Sequence, residues 1–190
     1  MHHKRIDVEV SFLKVSQIDL RVKKTCCVSM KNSSSADWKK LFNGTDLGDW
    51  IVKIHHHEVG DNYANTFRVS KGTIQMNYDG YEKLENRYEY LFYKIPFSSY
   101  HLKFSYRFTD QWVEDAPGYE YRNNGIMFRA QKPEMILKDK DWPISVKLQL
   151  LAADDNGAPR TAGNMSPPDT EVYYQGKMDS IHCIPSSSPS

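Results

Sequence analysis

Arg129, Lys147 and Gln149 occupy polar positions in two runs that otherwise alternate with apolar residues, GIMFRA at 125–130 and ISVKLQLLA at 144–152. Arg and Lys carry only donors, and Gln both donates and accepts, so these side chains on one surface would suit a negatively charged oxygen or a set of sugar hydroxyls. Arg107 and Lys103, from SYHLKFSYRF at 99–108, are placed to join them. The competing reading is that polar residues at period two on a strand simply face water. His182, in SIHC at 180–183, has an ordinary pKa near ~6.5 and suits a general base or acid, or else only packs beside Cys183. In KDKDWP at 138–143, Asp139 and Asp141 are candidates for acid and base or for shaping the turn before Pro143, the turn role fitting Asp139 better. Trp142 reads either as a platform for a sugar ring or as a plug at the end of the fold. His55, His56 and His57, with Glu58 and Asp61 nearby, have the composition of a metal cluster. Three consecutive residues of a strand cannot all face one ion, and the spacings of known metal motifs are absent, so this stretch reads as a solvated loop. No cofactor is expected, with a divalent metal as the open alternative.

The elements that must position these groups read as strands. TFRVSKGTIQMN at 66–77 is two short runs around Ser70-Lys71-Gly72, a hairpin signature. YEYLFYKI at 88–95 follows. In the run at 101–108, Leu102, Phe104, Tyr106 and Phe108 fall on one face, with Lys103, Ser105 and Arg107 on the other. Ile126 and Phe128, then Val146, Leu148 and Leu150, mark the inward faces of two more strands, and Asn123-Asn124-Gly125 reads as the turn that starts the first of them. NGTDLGDW at 43–50 reads as a structural turn, with Leu41, Phe42 and Trp50 packing. No amphipathic helical pattern runs for more than two turns, so an antiparallel β-sandwich or jelly roll is expected. Residues 1–37 read as an arm or edge strand with the linker NSSSAD, and the domain is placed at 38–190. The chain closes in PSSSPS without a further strand, so it is expected to be shorter than its domain.

Composition narrows the function class. The 190 residues are 39% hydrophobic and 26% charged, enough for one domain with a real core. A net charge of +1, with the signs mixed along the chain, argues against nucleic acid as a partner. No apolar run approaches the ~18 residues of a spanning helix, and residues 1–36 lack the apolar stretch of a signal peptide. Cys26, Cys27 and Cys183 cannot make a disulfide framework, which leaves the redox compartment open. Aromatic residues reach 13%, with 12 Tyr and 4 Trp, rings that serve cores and sugar faces alike.

Six stretches in order resemble the 3-keto-disaccharide hydrolase domain family. They are WKKLFNGTDLGDW at 38–50, NTFRVSKG at 65–72, YLFYKIPFSSYHLKFSYRF at 90–108, RNNGIMFRAQKPEM at 122–135, DKDWPISVKLQLL at 139–151 and GNMSPPDTEVYYQGKMDSIHC at 163–183. The resemblance implies an all-β, concanavalin-like jelly-roll β-sandwich, incomplete at its C-terminus, that acts on glycosides oxidised at C3, and a periplasmic or extracellular location. A C3 ketone acidifies the C2 proton, so the aglycone can leave from C1 by elimination and water can then add across the glycal. That route needs a base near C2, a donor for the enolate oxygen and an acid for the leaving oxygen. On this resemblance His182, Arg129 and Lys147 are the catalytic candidates, and Gln149, Asn124, Arg107, Trp142 and Asp141 the contacts to a carbohydrate substrate. Family members usually carry Glu at the position of Lys147, many carry Cys at that of Ser166, and one branch carries His at that of Arg129. The rival expectations are a non-catalytic carbohydrate-binding module and an inactive truncated member. Oligomeric state is left open.

Overall fold

The computed structural model describes residues 8–11, 19–24, 38–97, 100–174 and 177–179. Its strands are β1 (Val8–Ser11), β2 (Asp19–Lys24), β3 (Trp38–Lys40), β4 (Trp50–Ile54), β5 (Phe67–Ser70), β6 (Thr73–Met76) and β7 (Glu89–Tyr93). They continue with β8 (Tyr100–Ser105), β9 (Asn123–Phe128), β10 (Val146–Leu151), β11 (Met165–Ser166), β12 (Val172–Tyr174) and β13 (Lys177–Asp179). Three short 3-10 turns are the only helical elements among the described residues, so the chain is all-β. No helix among the described residues is long and apolar enough to cross a membrane.

The largest sheet is antiparallel with strand order β11-β10-β9-β1-β7-β4, and a smaller one runs β3-β2-β8. Val8–Ser11, expected in an arm or edge strand, instead lies inside the large sheet, paired to β9 on one side and β7 on the other. Without it both neighbours would expose a row of unpaired backbone groups. β2 is likewise held between β3 and β8. The hairpin of β5 and β6 forms as its sequence dictates: Ser70 pairs with Thr73, and Lys71 and Gly72 take φ of 50° and 70°. Two positive φ values in a two-residue loop match the twist of the strands they join.

Alternation along the large sheet gives it two unlike faces. One buries Trp50, Val52 and Ile54 of β4, Leu91 and Tyr93 of β7 and Ile126 of β9 against Phe67, Ile74 and Met76 of the hairpin. Leu102 and Phe104 of β8 pack onto the same cluster, as do Leu41 and Phe42. These last two are anchored by the 43–48 turn, where Asn43 Oδ1 accepts from the amides of Thr45 (2.8 Å) and Asp46 (3.0 Å) and Asp46 Oδ1 accepts from Gly48 (2.7 Å). The other face carries a smaller cluster of Tyr88, Tyr90, Phe92, Met127, Ala130 and Ile136, with Ile51 and Trp142 packed against it.

β9 and β10 pair over their full length, from Val146 opposite Phe128 to Leu151 opposite Asn123. Asn123, Asn124 and Gly125, expected as a turn, are therefore strand residues; the reversal lies upstream, at the 3-10 turn Gly118–Glu120 and at Arg122 with φ 45°. Gly125 is needed for closeness: a Cβ there would clash with Lys147 Cε and sit 2.7 Å from Lys147 Cγ and 2.8 Å from the Leu148 carbonyl oxygen. The lysine stem crosses the strand where no side chain stands, and it shields the apolar part of a charged residue. Gly125→Ala is expected to destabilise the fold by about 1–3 kcal/mol through overpacking. Thermal unfolding of the two proteins checks this; an unchanged melting temperature would mean that Lys147 is not seated on Gly125.

Candidate functional site

Opposite pairing puts Lys147, Gln149, Met127 and Gly125 on the same face as Asn123, away from the main core. Lys147 and Gln149 therefore come together as their spacing predicts, and both reach Asn123 Oδ1, at 3.5 Å and 3.4 Å. Lys147 is only 9% exposed, so it is a covered cation at the floor of this face and not a lining residue of an open groove. Asn123 turns its amide the other way and donates to the Tyr119 carbonyl at 3.0 Å.

The remaining predicted residues divide. Asn124, proposed as a substrate contact, points with Ile126 into the main core and is fully buried; its Oδ1 accepts from the Gly125 amide and its Nδ2 has no partner, so it cannot meet a ligand on the other face. Arg129, expected to continue the alternation of β9, lies one residue past the strand end with φ 54° and is exposed. A left-handed residue breaks period two, so the alternation that places Met127 does not carry on to Arg129. Arg107 lies beyond the end of β8, exposed, and β8 belongs to the three-stranded sheet, so Arg107 does not extend the Lys147 surface. His182 and the three cysteines lie outside the described residues.

Asp141 and Trp142 do belong to the same face. The segment 130–145 crosses it, with Ala130 and Ile136 in the small cluster, the Gln131 amide bonded to the Ile144 carbonyl at 2.9 Å and Tyr90 donating its hydroxyl to the Asp141 carbonyl. Trp142 packs on Tyr88 with ring centroids 5.1 Å apart, tilted by 31°. Tyr88 shares a hydroxyl contact of 3.0 Å with Tyr119, a residue 54% exposed. Burial, then the Tyr119 hydroxyl, push the Tyr88 phenol far above its usual range, so it stays protonated as a donor. Through Asn123 and Tyr119 the Lys147 group and the aromatic group form one connected surface. Tyr88 and Tyr119 were not singled out by sequence, where only the high tyrosine content hinted at them, and Asn123 was read only as a turn residue.

The histidine stretch ends the same face. The stretch is a turn just past β4 with His56 exposed, but it is not wholly solvated: His55 is 5% exposed and is tied back by its amide, which donates to the Tyr88 carbonyl at 2.9 Å. Its Nδ1 donates to the Asn86 carbonyl at 2.6 Å and lies 3.4 Å from Asp141 Oδ1, while its Nε2 is buried without a partner. His56 Nδ1 donates to Asp139 Oδ1 at 2.8 Å, which holds that carboxyl below the ordinary range. Asp139 thus stands in the turn expected of it, which the Lys140 amide closes on the Leu137 carbonyl at 3.2 Å, and also grips His56. His57 pairs with Asp61 at 2.8 Å, and the buried Lys53 ammonium caps the stretch by donating to the Ile54 (3.0 Å) and His57 (2.8 Å) carbonyls. Burial depresses the Lys53 pKa.

Asn86 is itself held from a distance. Glu85 and Asn86 have φ of 49° and 56°, a left-handed pair that local sterics disfavour. The Asp115 carboxylate accepts from the amides of Leu84 at 2.6 Å and Glu85 at 3.0 Å and so secures the turn.

Together these features define a class: an all-β domain with one sheet face committed to its core and the other carrying aromatic rings, buried donors and carboxylates. The model of the 3-keto-alpha-glucoside-1,2-lyase-like domain matches residues 37–180, and the chain belongs to that family. No curated protein and no solved structure gave a match.

The bonds from the Glu85 amide and then the Leu84 amide hold the Asp115 carboxyl below its ordinary 3.8. A depressed folded pKa contributes stability that is complete above the unfolded value and is lost as pH falls through the folded one. Asp115→Asn is therefore expected to be less stable than the parent at neutral pH, with the gap closing below about pH 4, the unperturbed carboxylate range. Denaturant midpoints measured across pH 2–7 check this, and a gap independent of pH would refute it.

Proposed function

We propose that the chain cleaves glycosidic bonds of 3-keto-glycosides by elimination followed by hydration, on the face that holds Lys147, Gln149, Tyr88, Tyr119 and Trp142. The observation that carries this reading is the family match over residues 37–180, which coincides with a face joining aromatic rings to covered donors. A base takes the C2 proton, and the electron pair passes into the C3 carbonyl as an enolate. The enolate collapses to restore the ketone, the C1–C2 double bond forms and the C1–O bond breaks, the leaving oxygen taking a proton. Water then adds its hydroxyl to C1 and a proton to C2. In this reading Lys147 and Gln149 donate to the enolate oxygen, where a cation shielded from water acts at full strength. The exposed Tyr119 and half-buried Trp142 rings, backed by buried Tyr88, support the sugar. His182 is the proposed base, and Arg129 meets the substrate from the rim past the end of β9. We place this chemistry in a concanavalin-like jelly roll and in an exported protein, both from the resemblance of the motifs.

The burial of Lys147 favours one second reading, a sugar-binding module of the same surface without turnover. The two part on a direct assay of the full chain with 3-keto-trehalose or a 3-keto-β-glucoside. The enzyme reading expects aglycone release with exchange of the C2 hydrogen for solvent deuterium, and a loss of roughly 10²–10³ in kcat for Lys147→Met, the usual cost of removing an oxyanion donor. Saturable sugar binding with no release and no C2 exchange would replace it with the module reading.

A further inference from the structure

On an extended strand His55 and His56 would point to opposite faces. Here the backbone turns at His56, which takes φ 68°, while the His56 amide donates to the Lys138 carbonyl at 2.7 Å and the His57 amide closes back on Ile54 at 3.0 Å. The left-handed residue swings the two imidazoles onto one side, where they stack at 3.8 Å with planes 21° apart. A strained turn of this kind persists only where its surroundings over-determine it. The backbone bond to Lys138 also brings Asp139 against the pair, so that one metal-binding atom from each of His55, His56 and Asp139 lies within 4.8 Å of the other two.

The hydrogen bonds set the tautomer of His55. A carbonyl oxygen only accepts, so Nδ1 carries the proton given to Asn86, and Nε2 of the neutral ring carries the lone pair. That nitrogen is buried and has no partner. A ring fixed by an Nδ1–H bond to a backbone carbonyl, with Nε2 left over, is how a metal-ligating histidine is held. Asp141, 3.4 Å from His55 Nδ1, adds a second carboxylate beside the same ring.

We propose that His55, His56 and Asp139 form a binding site for one divalent first-row transition metal ion, of the Zn²⁺ or Co²⁺ kind. Two imidazoles and one carboxylate match the donor preference of these ions and not the all-oxygen preference of Ca²⁺ or Mg²⁺. Three protein ligands leave a position for water or a substrate oxygen. Binding parts the stacked rings by side-chain rotation and displaces the proton that His56 shares with Asp139. The site stands on this geometry alone and does not depend on the sugar chemistry proposed above.

The test is titration of the untagged, metal-stripped full chain with CoCl₂, read by visible d–d absorption and equilibrium dialysis, and repeated with ZnCl₂ in competition. The expected result is one tight equivalent, displaced by Zn²⁺, with affinity at least ~10-fold weaker in His56→Gln and in Asp139→Asn, the scale of loss seen when a metal's supporting groups are removed. His57→Gln should bind like the parent, since His57 is engaged with Asp61. Both affected residues are exposed, so the variants should fold, and circular dichroism verifies it. Absence of saturable uptake would overturn the site. So would unchanged affinity in Asp139→Asn, or an equal loss in His57→Gln, which would reduce the signal to chelation by a run of histidines.

Discussion

Everything on the polar face of this protein depends on the register between β9 and β10. The stem of Lys147 crosses Gly125 at a separation that leaves no room for a Cβ, and the pairing carries Gln149 and Asn123 to the same side. Because side chains alternate with period two, a slip of one residue would send Lys147 and Gln149 into the main core and bring Val146, Leu148 and Leu150 out. The apolar residues of the core face, Ile126 foremost, oppose that slip, so the hydrophobic effect holds the polar groups in position without touching them. Asn124 shows the strictness of the rule: it is a neighbour of Asn123 in sequence, yet it lies buried on the opposite side of the sheet.

A second layer of control comes from the segment 130–145. It lies over the polar face, seats Ala130 and Ile136 in the small cluster, and delivers Asp139, Asp141 and Trp142 to the end where the histidines stand. The histidines are held from the other side by the turn at 84–86, which Asp115 secures across about thirty positions of sequence, a long closure whose cost grows only slowly with length. Buried imidazole, buried lysine and buried phenol thus sit close together, each bonded to a carbonyl or hydroxyl that makes its burial tolerable.

Much of this was legible beforehand where the signal is local. The hairpin around Lys71 and Gly72, the packed turn at 43–48, and the inward faces of β9 and β10 follow from turn chemistry and alternation, which act over a few residues. Six ordered motifs also sufficed to point to the family. The site was legible only in part. Lys147 and Gln149 could be paired because they share a strand, and Asp141 and Trp142 because their motif stood out. Tyr88, Tyr119 and Asn123 could not be found this way, since nothing local distinguishes a tyrosine that meets another across the fold from one that fills the core. Alternation could not place Arg129 and Arg107, which lie past the ends of β9 and β8, and it could not tell that β8 joins a different sheet.

The amino-acid sequence by itself determined the all-β class, the strand faces and the family, because each is encoded in short-range pattern and motif order. Only the tertiary structure decided that Val8–Ser11 belongs inside the sheet, that Lys147 is covered, and that two adjacent histidines face one way beside Asp139. Those outcomes turn on a left-handed backbone residue and on contacts between segments far apart in the chain, and no periodicity in a sequence records either.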